Sequence, residues 1–136
     1  YLLENGLEEL DLFGDFSRLM RLSYKCDIIG ISQWVDSISI IGRRRQKLFI
    51  SYTLKMLRAC LISNFGDNKL LKNSDKESKF ISNFAPFIHE ENIEEFYCEI
   101  QKGFTDIERN GNPKIIFLDI SVKLTRLLHI KPIENA

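Results

Sequence analysis

The densest group of chemically capable side chains in this 136-residue sequence is Arg43-Arg44-Arg45-Gln46-Lys47. Four cations within five residues suit phosphate groups or an acidic protein surface, because guanidinium forks pair with phosphate and carboxylate oxygens two at a time. At the first turn of a helix they oppose that helix's own dipole, yet they complement the C-terminal end of a helix finishing at Ile41. The cluster therefore has two readings: a solvated capping group, or a binding surface whose loss would weaken polyanion binding and reduce its salt dependence.

Other reactive side chains are scattered. His89 and His129 are the only histidines and stand forty residues apart, and neither HExxH nor GxSxG occurs. Asp106, Glu108 and Asp119 show no spacing that would pair them for acid–base work. Ile115-Ile116-Phe117-Leu118-Asp119 has the form of the apolar strand whose terminal acid holds Mg²⁺ in P-loop ATPases. Such a strand needs a GxxxxGK[ST] loop upstream, and none of the seven glycines supplies one. The expectation is no catalytic site and no cofactor. Cys26, Cys60 and Cys98 are odd in number and free of CxxC spacing, and are expected to be reduced thiols on buried helical faces.

Nineteen basic and nineteen acidic residues cancel, so no global positive field condenses a polyanion and any nucleic-acid contact must be local. Hydrophobic residues make up 44% of the chain, with ten Phe and few Gly or Pro, which supports a globular helical fold of one domain spanning residues 1–136. No apolar run approaches the roughly 20 residues of a membrane span, and no signal-peptide pattern opens the chain, so a soluble cytoplasmic protein without a membrane partner is expected. The start at Tyr1, on a partial helical pattern, has the look of a domain excised from a longer chain.

Five to six helices are expected to position these groups. The first runs from about Asp15 as N-cap to Lys25, with Gly14 as a possible interruption before it. The second spans Ile28 to Ile41, with Ile31, Trp34, Val35 and Ile38 on one face and Gly42 as its left-handed cap. The third runs from Arg43 to Phe65 and stops at Gly66. It is apolar along two stripes, as a central helix must be. Gly66–Glu77 reads as a loop pinned by Leu70 and Leu71. Ser74-x-x-Glu77 has the form of a capping box before a short helix that breaks near Pro86. Ile93, Phe96, Tyr97, Ile100, Phe104 and Ile107 continue a helix to about Arg109.

The last helix starts at Pro113, with Asn112 as N-cap. Ile116, Ile120, Leu124, Leu127 and Leu128 face the core, whereas Ile115, Phe117, Leu118 and Val122 fall off that stripe. A terminal helix apolar on more than one side is either central or covered by a partner. Arg109, Asn112, Phe117, Leu118 and Val122 therefore join Arg43, Arg44, Arg45 and Lys47 as candidate interface residues.

Arg109-Asn-Gly-Asn-Pro-Lys-Ile-Ile-Phe-Leu-Asp-Ile-Ser-Val-Lys-Leu124 resembles the C-terminal domain of bacterial DNA polymerase III clamp-loader δ′ subunits, whose last segment joins an Asn-rich turn to an "LxDLSLKL"-type helix. Phe16-Ser-Arg-Leu-Met-Arg-Leu22, Trp34-Val-Asp36, Gly42-Arg-Arg-Arg-Gln-Lys47, Phe84-Ala-Pro-Phe-Ile-His89 and Ile107-Glu-Arg-Asn110 extend the resemblance over most of the chain. It implies an all-α collar domain. Such a domain packs beside those of the γ/τ and δ subunits and holds together N-terminal AAA+ modules that load the sliding clamp on primed DNA. The full-length protein would then belong to the polymerase holoenzyme, a nucleotidyltransferase complex, and would touch DNA and clamp only indirectly. None of the shared motifs is catalytic. The alternative is an independent all-α nucleic-acid-binding or regulatory module using the patch Arg43 to Lys47.

Overall fold

In the computed structural model, residues 11–64 and 74–131 are described. They form six α-helices and one 3₁₀ turn, with no strand among them. The helices are α1 (Leu12–Lys25), α2 (Ile28–Ser39), α3 (Arg43–Ser63), α4 (Asp75–Phe84), α5 (Ile93–Glu108) and α6 (Pro113–Leu128), with the 3₁₀ turn at Ala85–Phe87. The all-α expectation holds. Residues 115–119 lie inside α6, so the strand reading of Ile115–Asp119 does not.

The first helix begins earlier than its sequence suggested. Asp11, not Asp15, is the N-cap, and its Oδ1 accepts from the Gly14 backbone N–H at 2.9 Å. Gly14 does not interrupt the helix: a Cβ there would stand 2.1 Å from the Asp11 carboxylate. Asp27 and Gly30 repeat the device at the start of α2, with a 3.0 Å bond. Between the two helices Cys26 adopts φ 57°, and its backbone N–H reaches back to the last turn of α1. Helix α2 then ends at Ser39, short of Ile41. Gly42, at φ 95° and ψ 154°, is the N-cap of α3 rather than the left-handed cap of α2.

Helix α4 opens with the expected capping box: the Ser74 Oγ accepts from the Glu77 N–H at 3.2 Å and the Glu77 Oε1 accepts from the Ser74 N–H at 3.0 Å. The second Glu77 oxygen accepts from the Tyr52 hydroxyl of α3, tying the two helices together. Burial alone would raise the Glu77 carboxyl. The hydrogen bonds from Tyr52 and Ser74, with the charge of Lys55, outweigh it and hold the group below its ordinary value of 4.5. A carboxyl held down in the folded state adds stability above its unfolded pKa and loses that contribution as pH falls through the folded value. The stability advantage of the native chain over Glu77→Gln should therefore be level near neutrality and shrink below about pH 4.5, read from urea midpoints. The same advantage at pH 7 and pH 3 would exclude this role. The expected ends of α3 at Phe65 and Gly66 and the pinning by Leu70 and Leu71 lie outside the described residues.

A single core joins all six helices. Helix α3 packs on α1, α4 and α5, and α6 packs on α1, α2 and α5. Trp34 of α2, Phe49 of α3 and Phe117 of α6 meet at its centre, with ring centroids 5.4–6.2 Å apart. Gly103 lets α5 approach α6 closely, since a Cβ would fall 2.6 Å from the Ile120 Cδ1. The approach is laced along its edge by Lys123 with Glu99 at 2.6 Å and by Arg126 with Glu95.

Candidate functional site

The basic cluster does not act as a unit. Helix α3 starts at Arg43, so residues 43 and 46 lie three apart and share a face. The Arg43 Nη1 donates to the carbonyls of Gly111 at 2.9 Å and Ile107 at 3.3 Å, closing the C-terminal end of α5. The end of α2, which the cations were expected to complement, is closed instead by the buried Gln46, whose Nε2 donates to Ile38 at 2.9 Å and Ser39 at 3.2 Å. Arg45 and Lys47 are half-buried, and Arg44 alone of the four cations is fully on the surface. A neutral amide thus serves the nearer helix end and a guanidinium the farther one. Arg43→Ala should cost about 2 kcal/mol, as expected for charge-assisted bonds to partly buried carbonyls. Arg44→Ala should stay within about 0.5 kcal/mol of the native chain. Equal urea midpoints for the two variants would show that Arg43 is not fixed.

The turn before α6 is accounted for by helix punctuation. Arg109 is the C-cap of α5, and Asn110 takes a left-handed conformation at φ 64°, which Asn tolerates. The Gly111 N–H bonds the Asp106 carbonyl at 2.8 Å. The Asn112 Oδ1 accepts from Lys114 and Ile115 at 3.0 and 3.2 Å. Of these residues Arg109, Asn110 and Asn112 are exposed.

The four off-stripe residues of α6 separate. Phe117 is 1% exposed and belongs to the aromatic centre, which corrects its place among interface candidates. Counted at ~100° per residue it falls between Leu124 and Leu128, inside the core stripe rather than off it, and Trp34 of α2 and Phe49 of α3 pack on it there. Ile115, Leu118 and Val122 remain 66%, 48% and 59% exposed and follow one another at i, i+3 and i+7. Helix α2 adds Ile28, Ile29 and Ile40 at 74–85% exposure. A bridge of 3.0 Å between Lys114 and Asp36 joins the two helices along this outer side. The three α2 residues were not singled out by periodicity: Ile29 and Ile40 fall off the stripe of Ile31, Trp34 and Ile38, whereas Ile28 falls on it and is exposed as the first residue of the helix.

These six residues lie on, or at the end of, two helices that pack on each other, and exposed apolar surface of this kind marks contact sites. The neighbouring charges are already paired: Lys114 with Asp36, Lys123 with Asp119 and Glu99, Arg126 with Glu95. Recognition on this face would rest on apolar shape rather than charge.

Both histidines are engaged in holding backbone. The His89 Nε2 donates to the Ile130 carbonyl at 2.9 Å, and the His129 Nδ1 donates to Thr125 at 2.7 Å while its ring stacks on Tyr24. Among the described residues no three His, Cys, Asp or Glu gather as a metal site would require, and no helix is long and apolar enough to cross a membrane. Of the cysteines only Cys60 is buried, where desolvation pushes its thiol up to about 12. Cys26 and Cys98 are exposed, against expectation: Cys26 sits in the left-handed link after α1 and Cys98 on the outer side of α5. Compared with models of known protein families, with curated proteins and with solved structures, the chain finds no match.

Proposed function

We propose that this chain is an assembly domain of the collar type, and specifically that of a clamp-loader δ′ subunit, packing beside its γ/τ and δ counterparts. The observation that carries the assembly reading is exposed apolar surface on two helices that pack on each other, Ile28 and Ile29 of α2 with Ile40 at its end, and Ile115, Leu118 and Val122 of α6. Burial of such surface against a neighbouring helical domain would remove it from water at about 25 cal/mol per Å² of apolar area. The resemblance of residues 109–124, and of the shorter motifs along the chain, supports the choice of family. On this reading the chain contributes ring contacts and no chemistry of its own, and its tie to DNA and sliding clamp runs through the other subunits.

The test is light scattering after size-exclusion chromatography, with the chain alone and mixed with the collar domains of γ/τ and δ subunits. A stable mixed complex that Leu118→Glu with Val122→Glu abolishes is the expected result, since two carboxylates placed in an apolar contact without partners cost several kcal/mol. Both positions are exposed in the free chain, so the double variant should keep the native helical circular dichroism. A mixed complex indifferent to these two changes would remove the α2–α6 face from the proposal. A chain that stays monomeric beside both partners would count against the family.

The alternative, a nucleic-acid or regulatory module using Arg43 to Lys47, draws less support: Arg43 is committed to two carbonyls, and only Arg44 is fully exposed.

A further inference from the structure

A second surface lies between α3 and α5 and is independent of the α2–α6 face. Arg43 joins the start of α3 to the end of α5, so the two helices run antiparallel. On their outer side a groove of about 130 Å³ lies among Leu54, Leu61, Ile93 and Tyr97. It continues along α5 past Gln101 to Thr105 as a depression of about 550 Å³. Tyr97 is 53% exposed there.

The charges around this groove are uneven, although the chain as a whole is neutral. Helix α3 carries Arg43, Arg44, Arg45, Lys47, Lys55 and Arg58 and no Asp or Glu. Helix α5 is rich in acids, but Glu95 and Glu99 are turned to α6, where Arg126 and Lys123 pair with them. What lines the groove is Arg58 and Lys102 against Glu94 alone. Neither Arg58 nor Lys102 makes an ion pair among the described residues. Solvated cations beside an apolar floor call for an occupant that is apolar on one side and acidic along its edges.

The walls also set its shape. Between Leu54–Leu61 and Ile93–Tyr97 both walls are helical, so a third helix can lay its side-chain ridges there, as helices pack elsewhere in globular folds; beyond Tyr97 the depression runs along α5 alone. From Ile93 to Thr105 the α5 wall rises about 18 Å, the length of roughly twelve helical residues or three turns. We propose that the α3–α5 groove is a docking site for an amphipathic helix with acidic flanks, its apolar stripe against Leu54, Leu61, Ile93 and Tyr97 and its acids at Arg58 and Lys102. A nucleic acid fits less well: the floor is apolar, a single aromatic offers stacking, and the chain has no net positive field to draw phosphates.

Three fluorescein-labelled helical peptides of ~14 residues test this against the 136-residue chain by anisotropy, with binding mapped by backbone amide NMR. One carries Leu at i, i+3, i+7 and i+10 with Glu on both flanks. The second has Lys in place of each Glu, and the third has Ser in place of each Leu. The Glu peptide should bind about tenfold more tightly than the Lys peptide, with shifts along α3 and α5. Arg58→Glu with Lys102→Glu, two surface changes, should weaken it about tenfold and reverse the preference toward the Lys peptide. Equal binding of the Glu and Lys peptides overturns the proposal. So do equal binding of the Ser peptide, shifts confined to α2 and α6, or no binding by any peptide at millimolar concentration. An oligothymidylate that binds the groove more tightly than the Glu peptide would assign the surface to single-stranded nucleic acid and overturn it as well.

Discussion

Trp34→Ala is expected to remove about 3–5 kcal/mol of folding stability, a large part of what a domain of this size holds. Trp34 is 2% exposed, and its ring lies on Phe49 at 5.4 Å and against Phe117 at 5.9 Å. Its indole Nε1 donates to the Asp15 carbonyl at 3.1 Å, so one side chain on α2 touches α1, α3 and α6 together. Truncation to Ala opens a cavity at the meeting of four helices and deprives the Asp15 carbonyl of this donor; neighbours anchored on four backbones relax only partly into the space. Trp34→Phe keeps most of the volume and loses mainly the hydrogen bond, so its cost should be about 1–2 kcal/mol. Trp34 is the only tryptophan, so urea unfolding must be followed by far-ultraviolet circular dichroism rather than by fluorescence. A loss below about 1 kcal/mol for the Ala variant would mean that the three rings do not form the centre of the core.

Asn92→Leu is expected to cost about 2–4 kcal/mol despite nearly unchanged volume. Asn92 is 1% exposed, and its amide makes three bonds to backbone. Its Nδ2 donates to Phe87 at 2.8 Å and Leu127 at 3.0 Å, and its Oδ1 accepts from the His89 N–H at 2.9 Å. The side chain thus closes the 3₁₀ turn, braces the link at His89 that precedes α5 and satisfies a carbonyl in the last turn of α6. Leucine leaves these three groups without this partner in a place water does not reach. Asn92→Asp keeps the acceptor but sets a carboxylate against two carbonyl oxygens. Its folded pKa should rise, so the variant should regain stability as pH falls toward 4, opposite in sign to the Glu77 effect. Hydrogen exchange at the last turn of α6 reads the local consequence: protection there should fall more than in the middle of α3. Unchanged protection at that turn would separate Asn92 from the end of α6.

The helical plan was legible because every helix shows an apolar face and some add local capping chemistry at their start. Asn112-Pro113 placed the start of α6, and Ser74-x-x-Glu77 placed the start of α4, since both motifs act within four residues. The ends that went astray were those where the decisive contact is a small conformational detail. Gly14 read as a weak point, yet it supplies the room an aspartate three residues earlier needs in order to cap, as Gly30 does at the start of α2. Gly42 read as the end of α2 and is the start of α3, because its extended positive-φ geometry opens the next helix rather than closing the last.

The candidate interface was legible only in part. On α6, a count at ~100° per residue already sets Phe117 with Leu124 and Leu128 and turns Leu118 and Val122 away; what it could not supply is that rings of α2 and α3 meet Phe117 there. Sequence also could not tell that Arg43 would cap a helix that ends sixty-odd residues later in the chain, or that Gln46 would cap the nearer one.

By itself the sequence determined the all-α class, the order of its helices and most of the core faces, because periodicity and capping are local properties of the chain. Tertiary structure alone decided that Trp34, Phe49 and Phe117 share one centre, that Arg43 and Asn92 serve distant backbone, and which apolar stripes stay uncovered. Each of those outcomes depends on pairings between helices far apart in sequence, and an amphipathic pattern fixes which side of a helix is buried without naming the helix that buries it.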